Sequence, residues 1–234
     1  MPPDIFSIQG FADPFSSLSH LLGAAVFSGL SFTLVRKGWR ARHPPRLGAH
    51  GGRVASLVIF AFSAVLLLSL SGVYHLLGHH APARAVLQRL DHAAIFILIA
   101  GTATPIHTIM FRGPLRWGIL GFMWTLAGLG VTLKSIYFND TPESLGLILY
   151  VGMGWFGGAS MIAIARRFGF RKILPLFLGG IAYTLGAAIE LIEPTPLIAG
   201  VIRAHELFHV FVLLGLALHW RFIWNIADQS GQEL

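Results

Sequence analysis

Seven stretches of this chain are each long and apolar enough to cross a bilayer, which takes about 20 mostly apolar residues in helical form. No other feature of the sequence narrows its fold as much. The stretches run approximately over residues 17–35, 54–77, 92–111, 115–133, 144–165, 173–191 and 204–224. Between them lie short segments with the usual breakers, among them Pro44-Pro45, Pro82, Gly113-Pro114, Pro142, Pro194 and Pro196. Short connections make neighbouring helices antiparallel, so the expected fold is all-α: a polytopic membrane protein whose 1–234 span forms one seven-helix bundle with no second domain. Composition points the same way, because only 12% of residues are Asp, Glu, Lys or Arg, against about 25% in an ordinary soluble domain. No Lys or Arg precedes residue 17, so the basic n-region of a cleavable signal peptide is missing and the first span is expected to stay in the membrane.

The net charge of +7 would suggest nucleic acid in a soluble protein, but here it follows the loops. Arg36, Lys37, Arg40, Arg42, Arg46, Arg53, Arg112, Arg116, Arg166, Arg167, Arg171, Lys172 and Arg221 fall on one side of the bundle, and Arg84, Arg89, Lys134 and Arg203 on the other. Cytoplasmic loops are enriched in Lys and Arg. This 13-to-4 division therefore predicts a cytoplasmic C-terminus and an outside N-terminus, in a bacterial inner membrane. Nucleic acid is not an expected partner; membrane lipid is.

Ionisable side chains are costly within a bilayer and mark functional sites when they occur. His20 near the start of span one, Ser71 and His75 near the end of span two, Asp91 at the start of span three, and His205, Glu206 and His209 near the start of span seven all come to the leaflet away from the basic loops. The chain has no cysteine, so a metal must be held by His and carboxylate. His205 and His209 are spaced i, i+4 on one helix face, which suits two imidazoles on one Zn²⁺. A third His from another helix completes a catalytic set of three protein ligands with one position left for water, and bound zinc lowers the pKa of that water to about 7. Asp91 is close enough in depth to act as general base or orienting group, although an Asp before an apolar run is also a common helix N-cap. His107 and His219 read as helix-to-helix hydrogen-bonding groups, and His43, His50, His79 and His80 as solvated loop residues. His205-Glu206-Leu207-Phe208-His209 also spells H-E-x-x-H, the pattern of zinc metalloproteases with Glu206 as base; no further ligand can follow it in another helix. Gly152, Gly154, Gly157 and Gly158 in span five, and Gly179, Gly180 and Gly186 in span six, read as helix-packing positions, with an acyl cavity the alternative.

Taken together the motifs resemble the hemolysin III family, within the progestin and adipoQ receptor group that includes the adiponectin receptors. The resemblance is carried by Asp13-x-x-Ser16-x-x-Ser19-His20-x-x-Gly23, Ser71-x-x-x-His75, Leu90-Asp91-His92 through Gly101-Thr102-Ala103-Thr104-Pro105, and His205-x-x-x-His209. It implies that His75, His205 and His209 bind zinc and that Asp91 and Ser71 support the metal-bound water. Asp13 stands where many relatives have Glu, Ser16 where they have Asn, and Ala204 where adiponectin receptors have Ser. Those receptors hold their N-terminus and zinc on the cytoplasmic side; alkaline ceramidases, similar in fold and metal site, have the outward arrangement that the loop charges give here. The implied activity is a zinc-dependent hydrolase of a lipid amide or ester. A receptor or structural protein with a structural zinc, a pore-forming hemolysin, and an H-E-x-x-H metalloprotease are the alternatives.

Overall fold

In a computed structural model, residues 6, 11–41 and 49–229 are described, with backbone only at 49–51. Arg42, His43, Pro44, Pro45 and Arg46 of the first expected loop lie outside them, as does the side chain of His50. The chain forms α1 (Pro14–Arg40), α2 (Ala49–Leu76), α3 (Pro82–Met110), α4 (Gly113–Ile136), α5 (Glu143–Gly158), α6 (Met161–Phe168), α7 (Phe170–Ile192) and α8 (Ala204–Ile226). Among the described residues, seven helical segments are long and apolar enough to cross a membrane, with α5 and α6 together making the fifth, Glu143–Phe168. No β-sheet occurs among the described residues, only one isolated bridge between Ile198 and Ile202. The protein is an all-α polytopic membrane protein.

Helices adjacent in sequence pack against one another from α1 to α4, α7 packs on α8, and α1 meets α8 to close the bundle. The most deeply buried span is α3. Its Ala100, Gly101 and Ala103 are small enough to let neighbours approach: a Cβ on Gly101 would lie 2.3 Å from the Ser63 hydroxyl oxygen of α2. Close approach through small residues replaces the hydrophobic driving force that lipid cannot supply. One apolar core joins α1, α2, α3, α6, α7 and α8, and a second joins α3, α4 and α5.

Two expected boundaries shift. The third helix begins at Pro82, not near His92, because Pro at the first helical turn needs no N–H partner and starts a helix as readily as it ends one. Asp91 is therefore an interior residue of α3 and not its N-cap. The fifth span bends at Ala159-Ser160 between α5 and α6, next to Gly157 and Gly158, which are poor helix formers.

Candidate metal centre

The site starts from a helix end. The last carbonyls of a helix lack intrahelical donors and need partners, and His75 is the penultimate residue of α2. Its carbonyl accepts from the Asp13 N–H at 3.0 Å, and that of Leu76 from the Ala12 N–H at 3.2 Å. Arg84 donates to the carbonyls of Tyr74 and Leu77 and to Asp13 Oδ2 at 2.8 Å. The same carboxylate oxygen accepts from His75 Nδ1 at 3.0 Å. Burial alone would raise the Asp13 carboxyl, but the hydrogen bonds from His75 and Arg84 hold it well below the usual carboxylate range. An ionised Asp13 keeps the His75 proton on Nδ1 and turns the Nε2 lone pair inward.

The first two turns of α8 bring the other two imidazoles. Glu206 caps the helix start, accepting the Arg203 N–H at 3.0 Å on Oε2, while Oε1 accepts the Ser16 hydroxyl of α1 at 3.1 Å. Both carboxylate oxygens of Glu206 are thus engaged. His205 donates from Nδ1 to Glu190 Oε1 of α7 at 2.8 Å, which aims its Nε2 at His75 Nε2, 3.2 Å away.

With both Nδ1 protons committed to carboxylates, the two Nε2 atoms meet at 3.2 Å, a contact that takes either a proton shared between them or a metal ion. Two nitrogens on one tetrahedral Zn²⁺ at 2.0–2.1 Å are about 3.3 Å apart, so the spacing suits the ion. His209, one turn along α8, adds the third nitrogen: His75, His205 and His209 each offer a ligand atom within 4.8 Å of the others. His20 is not in this group. Its ring stacks on His209 at 3.9 Å and 11°, with both its nitrogens buried and unpartnered among the described residues.

Asp91 and Ser71 are buried and line, with His20, His205 and His209, a cavity of about 380 Å³, within the range of small-molecule sites. Asp91 takes part in none of the ion pairs among the described residues. Below the histidines the cavity wall is mostly apolar, with Leu67, Leu98, Ile99, Met123, Leu176 and Val212. It reaches His107 and His219 at the far end, a rise along α8 of about 21 Å from His205 at 1.5 Å per residue.

Other expected residues divide. His219 links helices as expected, through Nε2 to the Leu176 carbonyl at 3.1 Å, and His79 and His80 are exposed. His107 of α3 is buried beside the backbone of Leu115 in α4, and its ring stacks on Phe111 at 4.8 Å. Gly179 and Gly186 pack against α8, whereas Gly154, Gly157, Gly158 and Gly180 line the cavity and Gly152 meets nothing. Glu190 was not anticipated, although the end of span six lies at the same depth as the histidines.

Seven apolar spans around a three-histidine cluster, buried at His75 and His209 and half-buried at His205, define a heptahelical membrane protein with a candidate metal centre. The family model described as Haemolysin-III related matches residues 9–220, and the chain belongs to that family. It is 34% identical to Hemolysin-3 of Bacillus cereus over 70% of this chain and 72% of that protein, and 32% identical to the Hemolysin-3 homolog of Bacillus subtilis over 70% and 73%. It is also 24% identical to the human monocyte to macrophage differentiation factor over 74% and 70%.

Proposed function

We propose that the protein is a zinc-dependent hydrolase within the membrane, probing lipid for an amide or ester bond and cleaving it. The observation that carries this is the pair of facing Nε2 atoms 3.2 Å apart at the polar end of a long apolar cavity. His75, His205 and His209 would hold the ion, which when bound acidifies water and polarises a carbonyl. Asp91, buried and in none of the ion pairs among the described residues, takes the proton of the attacking water and delivers it to the leaving amine or alcohol, and the Ser71 hydroxyl orients that exchange. Glu206 is a poorer base, because the Arg203 N–H and the Ser16 hydroxyl occupy both of its oxygens. The apolar cavity wall receives the acyl chain, and the resemblance to ceramidase-like proteins supports a lipid amide.

A purely structural zinc is the second reading, favoured by the ties that the histidines make between α2, α7 and α8. The two readings separate in one set of preparations: wild type, His75→Ala, His209→Ala and Asp91→Asn. Metal analysis is expected to give about one zinc per chain in wild type and Asp91→Asn, and none in the two His variants. Wild type alone is expected to turn over a panel of ceramide-type amides and lipid esters. Equal zinc in all four preparations would overturn the site; full zinc with no turnover of any substrate would leave the metal structural.

A further inference from the structure

The cavity has a second charged feature at the level of the histidines. Lys134, near the end of α4, is only 1% exposed, although a lysine two residues from the end of a membrane helix ordinarily snorkels to water. Its side chain lines the cavity. Its ammonium lies 5.4 Å from the centroid of the Phe138 ring, and the Arg89 guanidinium of α3 lies 6.0 Å from the same centroid. No hydrogen bond or ion pair of Lys134 is formed among the described residues; the carboxylate of Glu143, at the same mouth, belongs to an exposed residue.

Two cations gathered on one aromatic ring, with the exposed Glu143 acting on Lys134 only through space, favour an anion beside them. The backbone makes room for this lysine. At Gly146 of α5 a Cβ would lie 2.9 Å from Lys134 Cε and 3.0 Å from Nζ, so any larger residue displaces the ammonium. The position is also tied to the metal centre. Phe138 meets the His92 ring edge-on at 5.2 Å, and Tyr150, next to Lys134 at Gly146, donates to the His92 carbonyl at 3.0 Å, one residue from Asp91. Gln88 and Ser144 line the same mouth and supply neutral donors.

We infer that Lys134 is a specificity-determining residue that receives an anionic oxygen group, phosphate or carboxylate, on the headgroup of the lipid whose chain enters the cavity. This deepens the hydrolase reading by giving the substrate class a charge: a single-chain lipid with an acidic head near the bond presented to the histidines.

The test is a binding measurement that needs no turnover. Purified full-length protein in neutral detergent is titrated with lysophosphatidic acid, with the uncharged monoacylglycerol of the same chain, and with inorganic phosphate, and thermal stabilisation is followed. Wild type is expected to bind the acidic lipid about tenfold more tightly than the neutral one, as a charge-assisted contact implies. K134Q is expected to bind both alike, and G146A, which keeps the charge but moves it, to lose most of the preference. Equal binding of both lipids by wild type, or a preference that persists in K134Q, overturns the inference. A Lys134-dependent shift with inorganic phosphate alone overturns the lipid assignment in favour of a free anion. Zinc content and turnover, measured separately, report on the hydrolase reading, so each can fail while the other stands.

Discussion

A histidine becomes a dependable metal ligand only when its other nitrogen is held, and two residues hold them here. Asp13 fixes His75 and Glu190 fixes His205, at 3.0 and 2.8 Å. Removal of such outer carboxylates commonly costs about 10- to 100-fold in metal affinity. Asp13→Ala is expected to weaken zinc by about that much in a chelator competition. Part of the loss comes from the freed Arg84, which would then sit beside His75 with its charge unpaired. Glu190→Gln, which keeps an acceptor, is expected to lose less. Unchanged affinity in Asp13→Ala would remove Asp13 from the site. The three histidines were legible in the sequence because depth and the i, i+4 spacing constrain them without any knowledge of packing. Asp13 was legible only as part of a motif, with no role attached. Arg84, Arg89, Lys134 and Arg203 entered the sequence reading only as topology charges, yet each is bound into the structure: to Asp13 and the α2 carbonyls, to Phe138, to the cavity mouth, and to Glu206 at 3.7 Å. Linear order cannot reveal this, since the partners come from other helices.

At the scale of helices, the bundle depends on a few places where backbones come close. On α7, a Cβ at Gly179 would lie 2.3 Å from His219 Cδ2 and 3.1 Å from the Gly215 carbonyl oxygen of α8. The second contact is backbone and cannot swing aside, so Gly179→Ala must separate α7 from α8, at a cost of about 1–3 kcal/mol for overpacking. It would also disturb the His219 hydrogen bond to Leu176. A Cβ at Gly152 of α5 would meet no other element within 4 Å among the described residues, and Gly152→Ala is expected to stay within about 0.5 kcal/mol of wild type or to gain slightly from helix propensity. Thermal unfolding of the two variants without metal would compare them directly, and equal midpoints would contradict the close packing of α7 on α8. Hydropathy and small-residue content gave the glycines of spans five and six the same reading. The structure separates them because α7 lies against α8 along its length, whereas α5 borders the cavity. Such a difference depends on the neighbour, not on the glycine.

For the molecule as a whole, the bilayer made the number of spans legible, since the hydrocarbon thickness fixes how long each apolar run must be. The cavity was not legible, because it is a space left between helices and no residue pattern encodes it. Orientation lies between these cases. The basic face gathers around the end of α8: Lys37 of α1 donates to the Trp224 carbonyl and pairs with Asp228 at 3.3 Å, Arg53 of α2 donates to the Gln229 carbonyl, and Lys172 of α7 donates to the Gln229 side chain. These bonds bring the basic ends of four helices to one level, at the far end of α8 from His205. Insertion acts on the chain before such bonds exist, so the expectation rests on the bare 13-to-4 division of basic residues, which predicts that the basic end lies in the cytoplasm. On that prediction the candidate metal centre would open toward the outer leaflet. A fluorescent protein that matures only in the cytoplasm, fused after Leu234, is expected to fluoresce, and a phosphatase active only after export is expected to be silent at the same position. An active phosphatase there would invert the bundle and put the histidines on the cytoplasmic side, where the adiponectin receptor resemblance would have them.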